Sequence, residues 1–218
     1  MESFLVIGMG RFGCSLAVEL SNLGHDVLVI DKNEEKIEAV ADRVTHAVIG
    51  DARDENVIRS LGARNFDVAV VAIADNVEDS VLITIMLKEL GVKKVVAKAQ
   101  SLLHMKVLQR IGADETVLPE RDMGKRLAQH LSSKNIIDFI ELSDDHSIVE
   151  LEAPADWYGK SLAELNIRAV FGINIIAARD KTGKNLCVSP GATYVIKEGE
   201  ILIVIGENGD IKRLRGEK

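Results

Sequence analysis

Gly8, Gly10 and Gly13 follow the apolar run of residues 4–7 directly and stand in G-x-G-x-x-G spacing. Glycines so placed do the work of a phosphate cradle. The first allows a tight turn out of a strand, the second lets phosphate oxygens reach the backbone, and the third lets a helix pack closely on that strand. With Met9, Arg11 and Phe12 between and beside them, the phosphates would meet the unpaired N–H groups and positive dipole end of a helix N-terminus. Arg11 adds a guanidinium there, able to make bidentate bonds to phosphate oxygens, and its value grows with their charge. That suits a triphosphate better than a dinucleotide pyrophosphate. Asp31 ends a second apolar run, residues 27–30, and lies 18 positions past Gly13. An acid about 20 residues on is the one that accepts the ribose hydroxyls, and its charge opposes a 2′-phosphate, which disfavours NADP.

These residues need elements to hold them along one edge. The pattern predicts a helix over 11–23 stopped by Gly24, a strand over 27–30, and a helix capped by Asn33 with Ile37, Val40 and Ala41 on one face. A strand over 45–49 runs into Gly50, Asp51 and Ala52. Helix 54–61, strand 68–73, helix 76–90, strand 95–97, helix 102–111 and strand 115–118 continue the alternation. The fold class is therefore α/β, a doubly wound parallel sheet of Rossmann type, whose apolar runs lack two-residue polarity because both faces are buried. Right-handed crossovers bring Gly8, Asp31, Asp51, Ala74 and Lys98 to one edge, where Asp51, Ala52 and Ala74 would flank an adenine ring.

Residues 119–124 open one more helix, with Leu127, Ala128 and Leu131 on a face that would cover its own sheet or meet a partner subunit. After a break at 132–135 the pattern changes to short strands over 136–142, 147–151, 173–178, 192–196 and 201–205. One clear helical piece follows Ser161. This predicts two domains, 1–134 and 135–218, the second a small α+β unit.

Composition narrows the function. The 218 residues are 47% hydrophobic, enough for such cores, and the net charge of −7 opposes affinity for nucleic acid or anionic lipid. The basic stretch at 212–215 reads as a solvated terminus. The longest apolar run, 68–74, falls far short of the ~20 residues of a membrane helix, and no leader pattern precedes the first strand, which implies a cytosolic chain. Cys14 and Cys187 form neither a disulfide framework nor a zinc motif. Neither Tyr158 nor Tyr194 has a lysine four residues on, and His25, His46, His104, His130 and His146 show no metal-ligand spacing, so they read as surface or helix-packing residues. A binding and sensing protein fits better than an enzyme. An NAD-dependent oxidoreductase and an NAD(H)-responsive redox sensor remain as alternatives.

The stretches 8–13, 29–36, 45–48, 98–100, 111–114 and 119–124 together resemble the RCK (regulator of potassium conductance) subunits of bacterial Ktr and Trk potassium transporters, and the second domain is similar to an RCK_C (TrkA_C) domain. The resemblance covers the whole chain. It implies a cytoplasmic gating subunit, peripheral at the membrane, that forms homodimers and an octameric ring beneath an integral-membrane, KtrB-like potassium channel subunit. ATP would activate it and ADP inactivate it, with Arg11 reaching the γ-phosphate and with Lys32 joining the nucleotide site. Glu120 matches a carboxylate associated with Mg²⁺ or another cation near the nucleotide. Arg168, Asn174, Ile175 and Pro190 match positions around a cyclic di-AMP site.

Overall fold

The computed structural model describes residues 1–73, 75–131, 136–143 and 145–214. Ala74, the predicted break at 132–135 and Arg215 lie outside them. The chain divides into two compact units, Met1–Glu120 and Arg121–Lys218. The first alternates β1 (Ser3–Ile7), α1 (Arg11–Asn22), β2 (Asp26–Asp31), α2 (Glu34–Ala41), β3 (His46–Ile49), α3 (Glu55–Ser60), β4 (Val68–Val71), α4 (Val77–Glu89), β5 (Lys94–Lys98), α5 (Leu102–Arg110) and β6 (Glu115–Val117). Helix α6 (Pro119–Leu131) opens at the end of this unit and runs on in the second. Whereas the sequence pattern assigns that helix to the first domain, the division falls near its start.

The six strands are all parallel, in the order β3-β2-β1-β4-β5-β6, so the order reverses between β1 and β4. Side chains alternate across a strand, and both sides are buried. Leu5, Ile7, Ile30, Ala69 and Val71 join a core with Ile58, Ile83, Leu87 and Leu108 of α3, α4 and α5. Val6, Val27, Val29 and Val70 join another with Ala17, Ile37 and Val40 of α1 and α2. This two-faced burial, about 1.5–3 kcal/mol for each large aliphatic side chain, explains the uninterrupted apolar runs.

The second unit contains β7 (Ile136–Glu141), β8 (His146–Glu152), α7 (Leu162–Leu165), α8 (Ile167–Phe171), β9 (Asn174–Arg179), β10 (Leu186–Val188), β11 (Ile201–Glu207) and α9 (Asn208–Leu214). Its strands form an antiparallel sheet in the order β10-β9-β11-β8-β7. Val149, Leu151, Trp157, Ile173 and Val204 build a separate core.

Two expectations for this unit are corrected. Residues 192–196 are not a strand: apart from one bridge of Val195 to Ser161, the segment spends its backbone on the start of α7. The Ala192 and Tyr194 carbonyls accept from Ala163 and Leu162, and the Ile196 N–H donates to Lys160. The sheet edge is instead β10, three residues with Leu186 and Val188 both exposed, too short and too open to show a pattern. Nor is the basic end merely solvated, since α9 is anchored by the buried Ile211. Its Lys212 and Arg213 lie in the last turn, where the dipole favours cations.

Candidate functional site

The glycine loop occupies the gap where the strand order reverses, and its three glycines meet three different demands. Gly8 has a φ of +96°, and a Cβ there would press on Ile73 and the Ala72 backbone. At Gly13 a Cβ would fall 2.0 Å from the Gly8 carbonyl oxygen, so α1 approaches the turn too closely for any side chain. Around Gly10, by contrast, lies open space. Gly10 is the N-cap of α1 and provides no side-chain bond, whereas Asn33, Asp54, Asn76 and Ser101 cap α2, α3, α4 and α5 with their side chains. No acidic residue occupies the first turn of α1. Its N–H groups and dipole are therefore left for an external anion.

Asp31 sits at the end of β2 with its side chain only 10% exposed. Its Oδ2 accepts the Met9 N–H at 2.7 Å and its Oδ1 the Asn33 N–H at 2.9 Å, and Lys36 Nζ is 3.8 Å away. The carboxylate is thus fixed against the glycine loop, and each oxygen retains a lone pair for a ribose hydroxyl. The neighbouring Lys32 is exposed.

Arg11, Phe12, Lys98 and Glu120 gather near the start of α1. Lys98 is 5% exposed, yet its Nζ reaches Glu120 Oε1 at 2.5 Å and lies 5.5 Å from the centre of the Phe12 ring. The Lys98 ammonium, the helix-start N–H and the Arg11 charge hold the Glu120 carboxyl below the usual range. Arg11 itself is exposed and makes no hydrogen bond or ion pair with any described residue. The start of α1, which no side chain caps, thus lies in a neighbourhood that holds the exposed Arg11 and the Lys98–Glu120 ion pair. No cluster of three or more metal-ligating side chains exists among the described residues. Glu120 offers one carboxylate, the way Mg²⁺ is commonly held together with substrate phosphates.

Beyond β3, the Asp51 carboxylate is engaged by Arg53. The Arg53 Nε lies 2.9 and 3.0 Å from its two oxygens, Nη2 2.6 Å from Oδ2, and the Arg53 N–H donates to Oδ1 at 3.0 Å. Those bonds, with the Lys32 charge nearby, hold the Asp51 carboxyl down at about 2. Arg53 Nη1 also stands 3.7 Å from Asp79 in the first turn of α4. Ala52 is 7% exposed and belongs to the core beneath. Gly8, Asp31, Asp51, Ala52, Lys98 and Glu120 thus lie at or just past the carboxyl ends of five strands.

Sequence reasoning passed over two residues here. Arg53 stands two positions after Asp51, a spacing that could have drawn attention, whereas Asp79 has no local signal. His104 is buried at 3% exposure. Its Nδ1 accepts the Gln100 N–H at 3.3 Å, and its Nε2 has no hydrogen-bond partner among the described residues.

In the second unit, Arg168, Asn174, Ile175 and Pro190 all line one groove of about 440 Å³, with Leu162 and Ala192 among its other walls. A separate and larger concavity, about 920 Å³, lies around Cys187, Tyr194 and Glu200. There Tyr194 donates to the buried Glu200 at 2.8 Å, and burial together with that carboxylate raises the phenol pKa.

Comparison with known proteins adds independent findings. The TrkA-N domain model matches residues 4–119 and the TrkA-C domain model residues 146–217. The Ktr system potassium uptake protein C of Bacillus subtilis (strain 168) is 50% identical over 212 residues, 97% of this chain and 95% of that protein. Protein A of the same system and organism is 46% identical over 216 residues, 99% of this chain and 96% of that one. Among solved structures, the GsuK channel bound to NAD aligns over 97% of this chain and 37% of its own, at 25% identity and a TM-score of 0.53.

Proposed function

Because the chain belongs to the TrkA-N/TrkA-C family and is homologous to Ktr potassium uptake proteins, we propose that it is a non-enzymatic regulatory subunit of a potassium uptake system that senses adenine nucleotides. The observation that carries this reading is the start of α1 in the first unit: a helix start with no side-chain cap, open space at Gly10, and the exposed Arg11, whose charge is felt by the Glu120 that pairs with Lys98. Asp31 takes the ribose, and the loop at Asp51 and Ala52, with Ala74, takes the base. ATP presents one more charged phosphate than ADP, and Arg11 is the exposed cation at the helix start that would feel the difference, with ATP favouring the active state and ADP the inactive one. Lys98 trades its Glu120 partner for phosphate oxygens, which frees Glu120 for Mg²⁺ or another cation.

The homologues' role implies an integral-membrane channel subunit as partner. No described helix is long and apolar enough to cross a membrane, which fits a peripheral position on the cytoplasmic side. Met123, Leu127 and Leu131 on α6, and Leu102, Leu103 and Val107 on α5, are exposed apolar side chains, which supports self-association into dimers and an octameric ring. The 440 Å³ groove around Arg168, with its cation, amide and apolar walls, is the candidate cyclic di-AMP site. A second reading, an NAD(H)-responsive sensor, is favoured by the NAD found on the GsuK channel.

Calorimetric titration of nucleotide-free protein with ATP, ADP, NADH and NADPH, with and without Mg²⁺, tests these readings. We expect ATP and ADP to bind and Arg11→Ala to weaken ATP about tenfold or more while ADP changes little, since charge-assisted bonds contribute ~1.5–3 kcal/mol. NADH binding without ATP or ADP binding selects the second reading. Equal loss of ATP and ADP in Arg11→Ala removes the γ-phosphate assignment.

A further inference from the structure

We propose that Arg53 is a further nucleotide-binding residue: its guanidinium forms a flat wall of the base subsite, and the carboxylates of Asp51 and Asp79 hold it in place. This rests on the nucleotide reading of the cleft. The argument begins with what Asp51 has left to give. Arg53 directs Nε, Nη2 and its own backbone N–H at the two Asp51 oxygens, at 2.6–3.0 Å. A carboxylate has about four lone-pair sites, so little of Asp51 remains to accept a hydrogen bond from a base.

The guanidinium is in the opposite position. Its side chain is 45% exposed, its plane is fixed by the two-point contact with Asp51, and Asp79 of α4 steadies Nη1 at 3.7 Å. A guanidinium has no acceptors, and its edge is turned to the carboxylates, so its exposed face is what a ligand meets. Aromatic bases stack on such planes. The location agrees. The Gly50 N–H donates to the Asp31 carbonyl at 3.0 Å, and the strand order β3-β2-β1 puts this loop beside Asp31 on the side away from the glycine loop after β1.

The test uses the full chain and three probes: ATP, ADP and inorganic tripolyphosphate. Arg53→Lys keeps the charge but loses the plane, and Arg53→Gln loses both charge and fork. Both variants should weaken ATP and ADP by the same factor, roughly five- to thirtyfold, and leave tripolyphosphate unchanged. Thermal unfolding should show the variants folded, since Arg53 is a surface residue. Unchanged nucleotide affinity, or an equal loss for tripolyphosphate, overturns the base-wall role. If wild-type protein binds neither nucleotide, the nucleotide reading itself fails and takes this inference with it.

Discussion

His104 shows how a single residue can carry a pH response without being exposed to it. Its ring is buried, Nδ1 is occupied by the Gln100 N–H, and Nε2 has no hydrogen-bond partner among the described residues. Protonation would set two donors, the Gln100 N–H and a new Nδ1–H, against each other. Burial accordingly lowers its pKa below the ordinary value near 6.5. The neutral ring is the folded form, so the unfolded chain binds the proton first as pH falls. Stability is retained above about pH 6.5 and lost as pH drops through the lower folded value. Thermal unfolding measured from about pH 7.5 to about 5.5 should therefore fall more steeply for wild type than for His104→Gln. Parallel slopes would show that His104 does not titrate differently in the two states. Asp51 behaves differently: held at about 2 by Arg53, it stays ionised throughout that range, so the Arg53 clamp is insensitive to these changes.

At the scale of elements, the turn from β1 into α1 separates a glycine that packing demands from one that packing leaves open, which the proposed function assigns to phosphate. Gly13→Ala would drive a Cβ to 2.0 Å from the Gly8 carbonyl oxygen, and relief requires α1 to move off the sheet. We expect a loss of about 1–3 kcal/mol or more, seen as a lower midpoint in urea. Gly10→Ala meets no atom within 4 Å, and its φ of −75° suits any residue. Its stability should change by less than about 1 kcal/mol, while ATP affinity falls because the methyl occupies the phosphate approach. Equal stability losses for the two would overturn this division of roles.

At the scale of the whole molecule, each unit has its own core, one pair of clusters around the parallel sheet and one around Trp157 and Ile173. Ligand binding to the first unit should raise the stability of that unit, by about 2.7 kcal/mol at a hundredfold excess over Kd. Ile211→Ala, which empties a buried position under α9, should cost the second unit about 2–5 kcal/mol. Scanning calorimetry with and without ATP checks both, and loss of ATP binding in Ile211→Ala would contradict the assignment of the site to the first unit. The sequence by itself determined the parallel sheet, its helices, and the placement of the glycine turn and Asp31 at the strand ends, because those depend on local pattern: continuous apolar runs, caps, and one motif carried on a strand, a turn and a helix. The family resemblance also lay in contiguous residues, and it brought Arg168 and Pro190 forward before their groove was visible. Only the tertiary structure decided that 192–196 serves α7 and not the sheet, that β10 is the edge, and that the basic end is an anchored helix. It alone joined Lys98 to Glu120 and Arg53 to Asp79. Those pairs lie 22 and 26 positions apart, and such contacts arise from the crossovers that bring strand ends together, which no local pattern encodes.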